Sequence, residues 1–336
     1  NDTEYPGYTN YPVYEERIRK VAQLIHTSGL FKRDTADLLM AAEKIASIIA
    51  KSNRSLIHSH ASFPALAALL ARGIESASMP IIQTMHGWGT NKTPEQEMMD
   101  IAVMNNLDQI VAVSRHSQNL LIEKGVAAGK VKLICNGVGL SPQPIEGEWD
   151  LLCAIKKAHK YLVGCIGTLC DRKNQQQLIE SVLQLRADGL DIGCVLIGDE
   201  DVNYRRLLNS MLKSDKSEKG VYFLGRLSRP DSLLKLMNLL VLPSRSEGLP
   251  LSVLEAIRNN VPVLLNDLPE HRELIGFNHA VTLFPGVHLA DYLKRLLTES
   301  ENKSSLVCDY SIDSDEISKE YMISKYNDLY RRHLKE

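Results

Sequence analysis

The chain has 336 residues, 44% of them hydrophobic and 24% charged, with 39 basic against 41 acidic side chains and a formal net charge of -2. That length exceeds what one hydrophobic core usually serves and predicts two domains. The balanced charge offers no general field for nucleic acid or an anionic membrane, and no apolar run reaches the length of a membrane span.

The opening stretch, NDTEYPGYTNYP, is rich in turn formers. From Tyr14 to about Ala50 the apolar spacing is helical and predicts two helices parting near Ser28-Gly29. Short apolar runs then alternate with helical patterns. The first series is SLIHSH (55–60), PIIQTMHGWG (80–89), QIVAVS (109–114) and VKLICNGV (131–138). A polar stretch at 140–158, containing SPQPIEGEWD, reads as a linker. The second series is YLVGCIGTL (161–169), IGCVLIGDE (192–200), VYFLGRL (221–227), LLVLPS (239–244) and PVLLND (262–267). RPDSLLKLMN and LSVLEAIRNN, which follow two of these runs, read as helices, as does the closing SKEYMISKYNDLYRRHL (318–334). Such alternation predicts parallel sheets covered by helices, with strands buried on both faces. Two doubly wound α/β domains with a cleft between them follow, and ligand-binding residues are expected just after the strands.

The six cysteines, Cys135, Cys153, Cys165, Cys170, Cys194 and Cys308, form no C-x-x-C pair and have no zinc-ligand spacing. They read as reduced thiols, which predicts a cytoplasmic setting with at most peripheral contact at the inner face of a membrane. No signal peptide is visible, and the start at Asn1 suggests a processed or partial product.

One stretch concentrates the chemistry: SRSEGLPLSVLEA, residues 244–256. Gly248 lets the backbone bend, Leu249 follows, and Pro250 suits a first helical turn. The early amides of Leu251 and Ser252 are then expected to face a ligand, where a helix N-terminus binds phosphate. Glu247 before the helix and Glu255 about one turn into it can stand on the order of 10 Å apart. Carboxylates accept hydrogen bonds from vicinal hydroxyls, so the pattern suits two hydroxyl-bearing ends of one ligand with phosphates between them. The alternative for this stretch alone is a solvated acidic loop before an amphipathic helix.

The run EGLPLSVLE resembles the E-x7-E signature of retaining glycosyltransferases of family 4, the group 1 transferases, whose fold is GT-B. IGTLCDRKNQQQLIES, VLIGDE, VYFLGRL and VPVLLND...HRELI resemble successive blocks of the family's donor-binding domain. IHSH, TMHG, IVAVS and VKLICNGV resemble its acceptor-side domain. The resemblance implies an acceptor-side domain over 1–142, joined by 315–336 through a C-terminal helix that crosses back, and a nucleotide-sugar domain over 143–314. It implies that Glu247 contacts donor-sugar hydroxyls, Glu255 the ribose hydroxyls and Lys173 the diphosphate. The main chain at Arg226-Leu227 would contact the base, and His86 would reach the donor sugar from the other domain. The family usually carries a second basic residue directly after Gly167, where this chain has Thr168; Arg172 is the local candidate to replace it. Family members also begin with a strand and glycine-rich loop well before the H-x-H block, and here only 57 residues precede His58, so the first βα unit is expected to be missing or rearranged.

The resemblance further implies a UDP- or GDP-linked sugar donor, no cofactor, and a glycan, lipid-linked or protein acceptor, in surface polysaccharide or glycoconjugate synthesis. No D-x-D pair stands where a metal-dependent transferase keeps one. His58 and His60 alternate on one strand and face one side, but a metal site lacks a third ligand in the sequence. Two other readings compete: a catalytically impaired module that binds sugar nucleotide or a partner, favoured by Thr168 and the short N-terminus, and a dehydrogenase, disfavoured because no G-x-G-x-x-G follows a strand.

Overall fold

The computed structural model describes residues 34–51, 56–89, 92–141, 143–212, 220–276, 281–299 and 316–334, with 19, 20 and 22 besides. The turn-rich opening and the first of the two expected N-terminal helices lie almost wholly outside these residues, as does Cys308. The chain divides into two compact units, one of Asn1–Ile134 with Ser324–Glu336, the other Cys135–Ile323.

In the first unit, α1 (Thr35–Ile49) starts on Asp34, whose carboxylate accepts from the amides of Ala36 and Asp37 at 2.8 and 3.2 Å. Four parallel strands follow in sequence order: β1 (Ile57–Ser59), β2 (Ile81–Met85), β3 (Gln109–Ala112) and β4 (Val131–Leu133). Between them run α2 (Ser62–Ile74), α3 (Pro94–Asn106) and α4 (Arg115–Glu123). Thr93 and Gln96 close a reciprocal capping box on α3, with Pro94 at its first position. Every residue of β2 is buried, and the small residues Ala65, Ala68 and Ala71 let α2 lie close to the sheet. The last helix, α11 (Lys319–Leu334), contributes its residues from Ser324 onward to this unit.

The second unit holds α5 (Glu146–Lys157), β5 (Tyr161–Ile166), α6 (Gln175–Ala187), β6 (Ile192–Ile197), α7 (Val202–Met211) and β7 (Val221–Gly225). A 3-10 turn at Pro230–Leu236 then leads to β8 (Leu239–Leu242), α8 (Leu251–Arg258), β9 (Val263–Asn266), α9 (Pro269–Arg272), β10 (Val281–Phe284) and α10 (Leu289–Glu299). The six strands are parallel in the order β10-β9-β8-β5-β6-β7. β5 and β6 are buried at every residue, as strands covered by helices on both faces must be. The order reverses between β5 and β8, which pair through Val163 and Leu239. In open α/β sheets such a switch point, beyond the carboxyl ends of the strands, is where ligands bind.

Four local expectations change. The stretch read as a linker contains α5, a helix that buries only Leu152 and Ile155 and so has a weak apolar stripe. RPDSLLKLMN makes a 3-10 turn rather than an α-helix. α8 begins at Leu251, with Pro250 as its extended cap residue rather than its first helical position. β10 and α10 complete the sheet beyond the last strand expected; β10 has four residues, too few for periodicity to register.

Gly198 ends β6 at φ 150°, and a Cβ there would stand 2.2 Å from the carbonyl oxygen of Gly167. Gly198→Ala should therefore cost about 1–3 kcal/mol, from backbone strain and displacement of the β5 exit. Denaturant unfolding of the variant beside the parent checks this, with an unchanged midpoint counting against it.

Candidate active site

Two loops leave the switch point of the second unit. The first begins at Gly167, with φ 153° and an amide that donates to the Ile197 carbonyl at 2.8 Å. It continues through the exposed Thr168 and the buried Leu169 into a 3-10 turn, Asp171–Lys173. Asn174, left-handed at φ 54°, joins that turn to α6. A Cβ on Gly167 would meet Lys173 Cε at 3.4 Å and its Nζ at 3.5 Å, ordinary contact, so it is the positive φ that favours glycine here. The second loop runs from Ser244 at the end of β8 to Pro250. The two are stitched together: Arg245 donates its amide to the Arg172 carbonyl at 2.8 Å, and Asn174 Nδ2 donates to the Pro243 carbonyl at 3.2 Å. Arg245 also pairs with Asp171.

Glu247 lies where the loops meet, and its side chain is 6% exposed. Lys173 Nζ stands 2.6 Å from Oε1, and Arg172 Nη1 stands 3.0 Å from Oε2 while also donating to the Ser246 carbonyl at 2.8 Å. Burial alone would raise the Glu247 pKa; the charge and contact of Lys173, helped by Arg172, overcome it and hold the carboxyl below its usual value. A carboxylate this buried is stable only with such partners. The structure thus gathers Arg172, Lys173 and Glu247 from positions 75 or fewer residues apart in sequence. Thr168, where the resemblance expects a second base, contributes only its carbonyl, which accepts from Gln175 Nε2 at 3.1 Å.

α8 starts three residues after Gly248, and no side chain caps its first amides, so Leu251 and Ser252 stand at an uncapped helix start. Leu249 and Pro250 are buried, and Asn136 Nδ2 donates to the Leu249 carbonyl at 3.2 Å, which pins the turn before the helix. Glu255 is half-buried on α8, and its carboxyl is pushed up to about 7 by burial and then by the charge of Asp231. Arg226 and Leu227 follow β7 after a register slip at Leu196/Ile197, with Gly225 at φ 65°. Arg226 Nη2 lies 3.3 Å from Asp199 Oδ2.

Two partners of this site carry no signal in the sequence reading, Asp231 beside Glu255 and Glu270 on α9, next to His271 at the head of HRELI. The Glu247 amide donates to Glu270 Oε1 at 3.0 Å, and His271 is fully buried. Their only clue is position, since α9 follows the end of β9 at the same sheet edge as the other site loops.

The first unit carries a separate polar cluster. His58 and His60 do face one side, with ring centroids 4.6 Å apart, and His86 from the end of β2 joins them, its Nε2 2.9 Å from His60 Nδ1. The two nitrogens of His58 are 2.6 Å from Tyr330 Oη and 2.8 Å from Thr84 Oγ1, and Thr84 in turn meets Tyr326 Oη at 2.8 Å. Burial and the neighbouring imidazoles lower the His58 pKa to about 4, and burial lowers His60 and His86 as well. His86, expected from the resemblance to serve the donor sugar, is therefore held neutral beside His60. Among the described residues no group of three or more His, Cys, Asp or Glu side chains is arranged to hold a metal ion. No helix among them is long and apolar enough to cross a membrane.

Comparison with known proteins bears on both units. The model for glycosyl transferases group 1 matches residues 154–308, and the model for glycosyltransferase family 4 matches residues 5–141. An uncharacterized glycosyltransferase of Methanocaldococcus jannaschii, MJ1178, is 28% identical over 279 residues, covering 80% of this chain and 72% of that protein. The O-antigen biosynthesis glycosyltransferase WclY of Escherichia coli is 23% identical over 298 residues, covering 84% and 80%. Among solved structures, Anabaena HepE with UDP and glucose superposes with a TM-score of 0.79 at 17% identity, covering 96% of this chain and 89% of that one. A family model thus accounts for each parallel-sheet unit, the one bearing Lys173 and Glu247 included. This chain belongs to the group 1 glycosyltransferases, enzymes of the GT-B fold.

Proposed function

We propose that this enzyme transfers a sugar from a nucleoside diphosphate to a hydroxyl acceptor with retention at the anomeric carbon and without a metal ion. The observation that carries the reading is the buried Glu247 carboxylate, paired with Lys173 and Arg172 at the switch point and placed shortly before an uncapped helix. Donor binding divides these groups by chemistry. The diphosphate takes the two cations and the first amides of α8, while Glu247 turns to hydroxyls of the sugar. Glu255, about one turn into α8, accepts the ribose hydroxyls, and the main chain at Arg226-Leu227 meets the base. UDP is the first choice of donor nucleotide, because HepE, which shares the fold, is solved with UDP; GDP is the second.

The departing diphosphate gains negative charge as the glycosidic bond breaks. Lys173, Arg172 and the helix start stabilise that charge, the work a divalent cation does in metal-dependent transferases. In a front-face course the leaving phosphate oxygen also takes the acceptor hydroxyl's proton, so the new bond forms on the side the old one left and configuration is retained. No cofactor enters this scheme. Relatives such as WclY, named for O-antigen biosynthesis, support a role in surface glycan assembly with a glycan or lipid-linked acceptor.

Thermal melting with UDP, GDP and ADP at about 1 mM tests the reading, because a ligand at 100 times its Kd adds about 2.7 kcal/mol to the folded state. One nucleotide should raise the melting temperature by several degrees, and no response to any of them counts against the proposal. Glu247→Ala should lower transfer about 10²-fold or more, by analogy with the loss of one preorganised polar group elsewhere; activity within a few-fold of the parent would remove Glu247 from the reaction.

The raised pKa of Glu255 gives a pH dependence with a definite sign. The folded protein holds this proton from the unfolded value of about 4.3 up to about 7. Its stability contribution is full below the lower value and is lost as pH rises through the upper one. Diphosphate binding should tighten as pH rises through about 7, as the carboxylate forms. Glu255→Gln should flatten both profiles, measured by melting and by calorimetric titration across the same window.

A further inference from the structure

The site loop of Glu247 is braced from behind by α9. At the exit of β9, Asn266 Nδ2 donates to the Ser244 carbonyl at 3.0 Å, which ties the end of β9 to the end of β8. The Asn266 carbonyl receives the Leu268 amide at 2.9 Å and His271 Nδ1 at 2.8 Å. Since a carbonyl only accepts, His271 carries its proton on Nδ1, and Nε2 is left as a lone pair. That Nε2 is buried without a hydrogen-bond partner among the described residues, and His271 is 0% exposed. The preceding residue, Glu270, is 8% exposed and accepts the Glu247 amide at 3.0 Å on Oε1.

This arrangement costs more than a scaffold needs. A second, mostly buried carboxylate is brought to the main chain of the first, where an amide side chain or a backbone carbonyl could accept the same N–H with no charge to desolvate. Lys173 and Arg172 fix where the Glu247 carboxylate points, and Arg172 also holds the Ser246 carbonyl, but neither holds the Glu247 amide. Glu270 does, and the Asn266–His271 bonds hold the turn that carries Glu270.

We propose that Glu270 is a positioning residue for the transfer reaction: by accepting the Glu247 amide it holds that acid where the donor sugar arrives, with His271 locking α9 behind it. This rests on the reading of Glu247 as the sugar-contacting acid. The nucleotide end of the donor depends on groups that Glu270 does not hold: Glu255, the start of α8, and Lys173 and Arg172 on their own 3-10 turn. Loss of the brace should therefore be felt at the sugar and not at the diphosphate. A displacement of roughly 1 Å at such a group can cost 10²-fold in rate.

Three variants separate reach from charge. Glu270→Ala loses the acceptor, Glu270→Asp keeps the charge but withdraws it by one methylene, and Glu270→Gln keeps an acceptor oxygen at the same reach. Hydrogen exchange over residues 244–250 reads the brace directly. Titration with UDP and UDP-glucose, or with GDP and GDP-mannose if only GDP shifts melting, reads its consequence. In Ala and Asp the Glu247 amide should exchange about tenfold faster, the affinity for the diphosphate should stay within about twofold, and the extra affinity from the sugar should fall about tenfold. Gln should remain within about threefold of the parent in all three. If Ala fails to fold, Asp carries the test.

Unchanged exchange in Ala and Asp overturns the proposal. So does an equal loss of diphosphate and sugar affinity, which marks a general collapse of the site, and so does a Gln variant that behaves like Ala. Glu247→Ala run in parallel isolates the underlying reading: if it keeps the sugar's contribution to affinity, Glu247 is not the sugar contact, whatever the exchange data show at Glu270. If no nucleotide binds at all, both readings fall together.

Discussion

The arrangement of the second unit depends on one desolvated ion cluster, Glu247 held between Lys173 and Arg172. An isolated carboxylate at 6% exposure would take up a proton rather than stay charged. The cluster keeps it ionised because two cations reach it from a single 3-10 turn, and that turn is held by Asn174 in a left-handed conformation. Two neutral bonds help hold the loops in place, the Arg245 amide to the Arg172 carbonyl and the Asn174 side-chain amide to the Pro243 carbonyl. Arg172 serves both scaffold and charge balance, since the guanidinium that meets Glu247 also holds the Ser246 carbonyl.

Topology makes the cluster available. β5 and β8 are neighbours in the sheet although about 75 residues separate them in the chain, and the strand order reverses between them. Their exit loops are brought together, with Arg172 and Lys173 of one meeting Glu247 of the other. Glycine at 167 is favoured by its φ of 153°, a conformation that residues with a side chain rarely adopt. The first unit uses its strand ends in a parallel way: β1 and β2 exits deliver His60 and His86 to one hydrogen bond. Tyr326 and Tyr330 from α11 close over Thr84 and His58. Those histidines are held neutral by burial and by one another, which makes them hydrogen-bonding groups rather than cations at neutral pH.

Much of this was written locally. Strand positions followed from uniform apolar runs such as YLVGCI and IGCVLI, and the order of motifs identified the family. Glu247 and Lys173 stand out in the sequence because each lies between a strand and the helix that follows it, and Glu255 because it stands about one turn into α8. α5 was not legible, because a helix that buries two side chains offers few apolar positions among its acids and lysines, and two prolines stand just before it. Nor was β10, a four-residue strand with no room for alternation.

What the sequence alone determined is the alternation of buried strands and amphipathic helices, and with it the fold, since burial period is a property of neighbouring residues. Tertiary structure alone decided who partners whom. It put Arg172 on Glu247, set Asp231 against Glu255, brought His86 to His60, and laid Glu270 under the Glu247 amide. Those pairings depend on strand order in the sheets, and no local window of residues carries strand order.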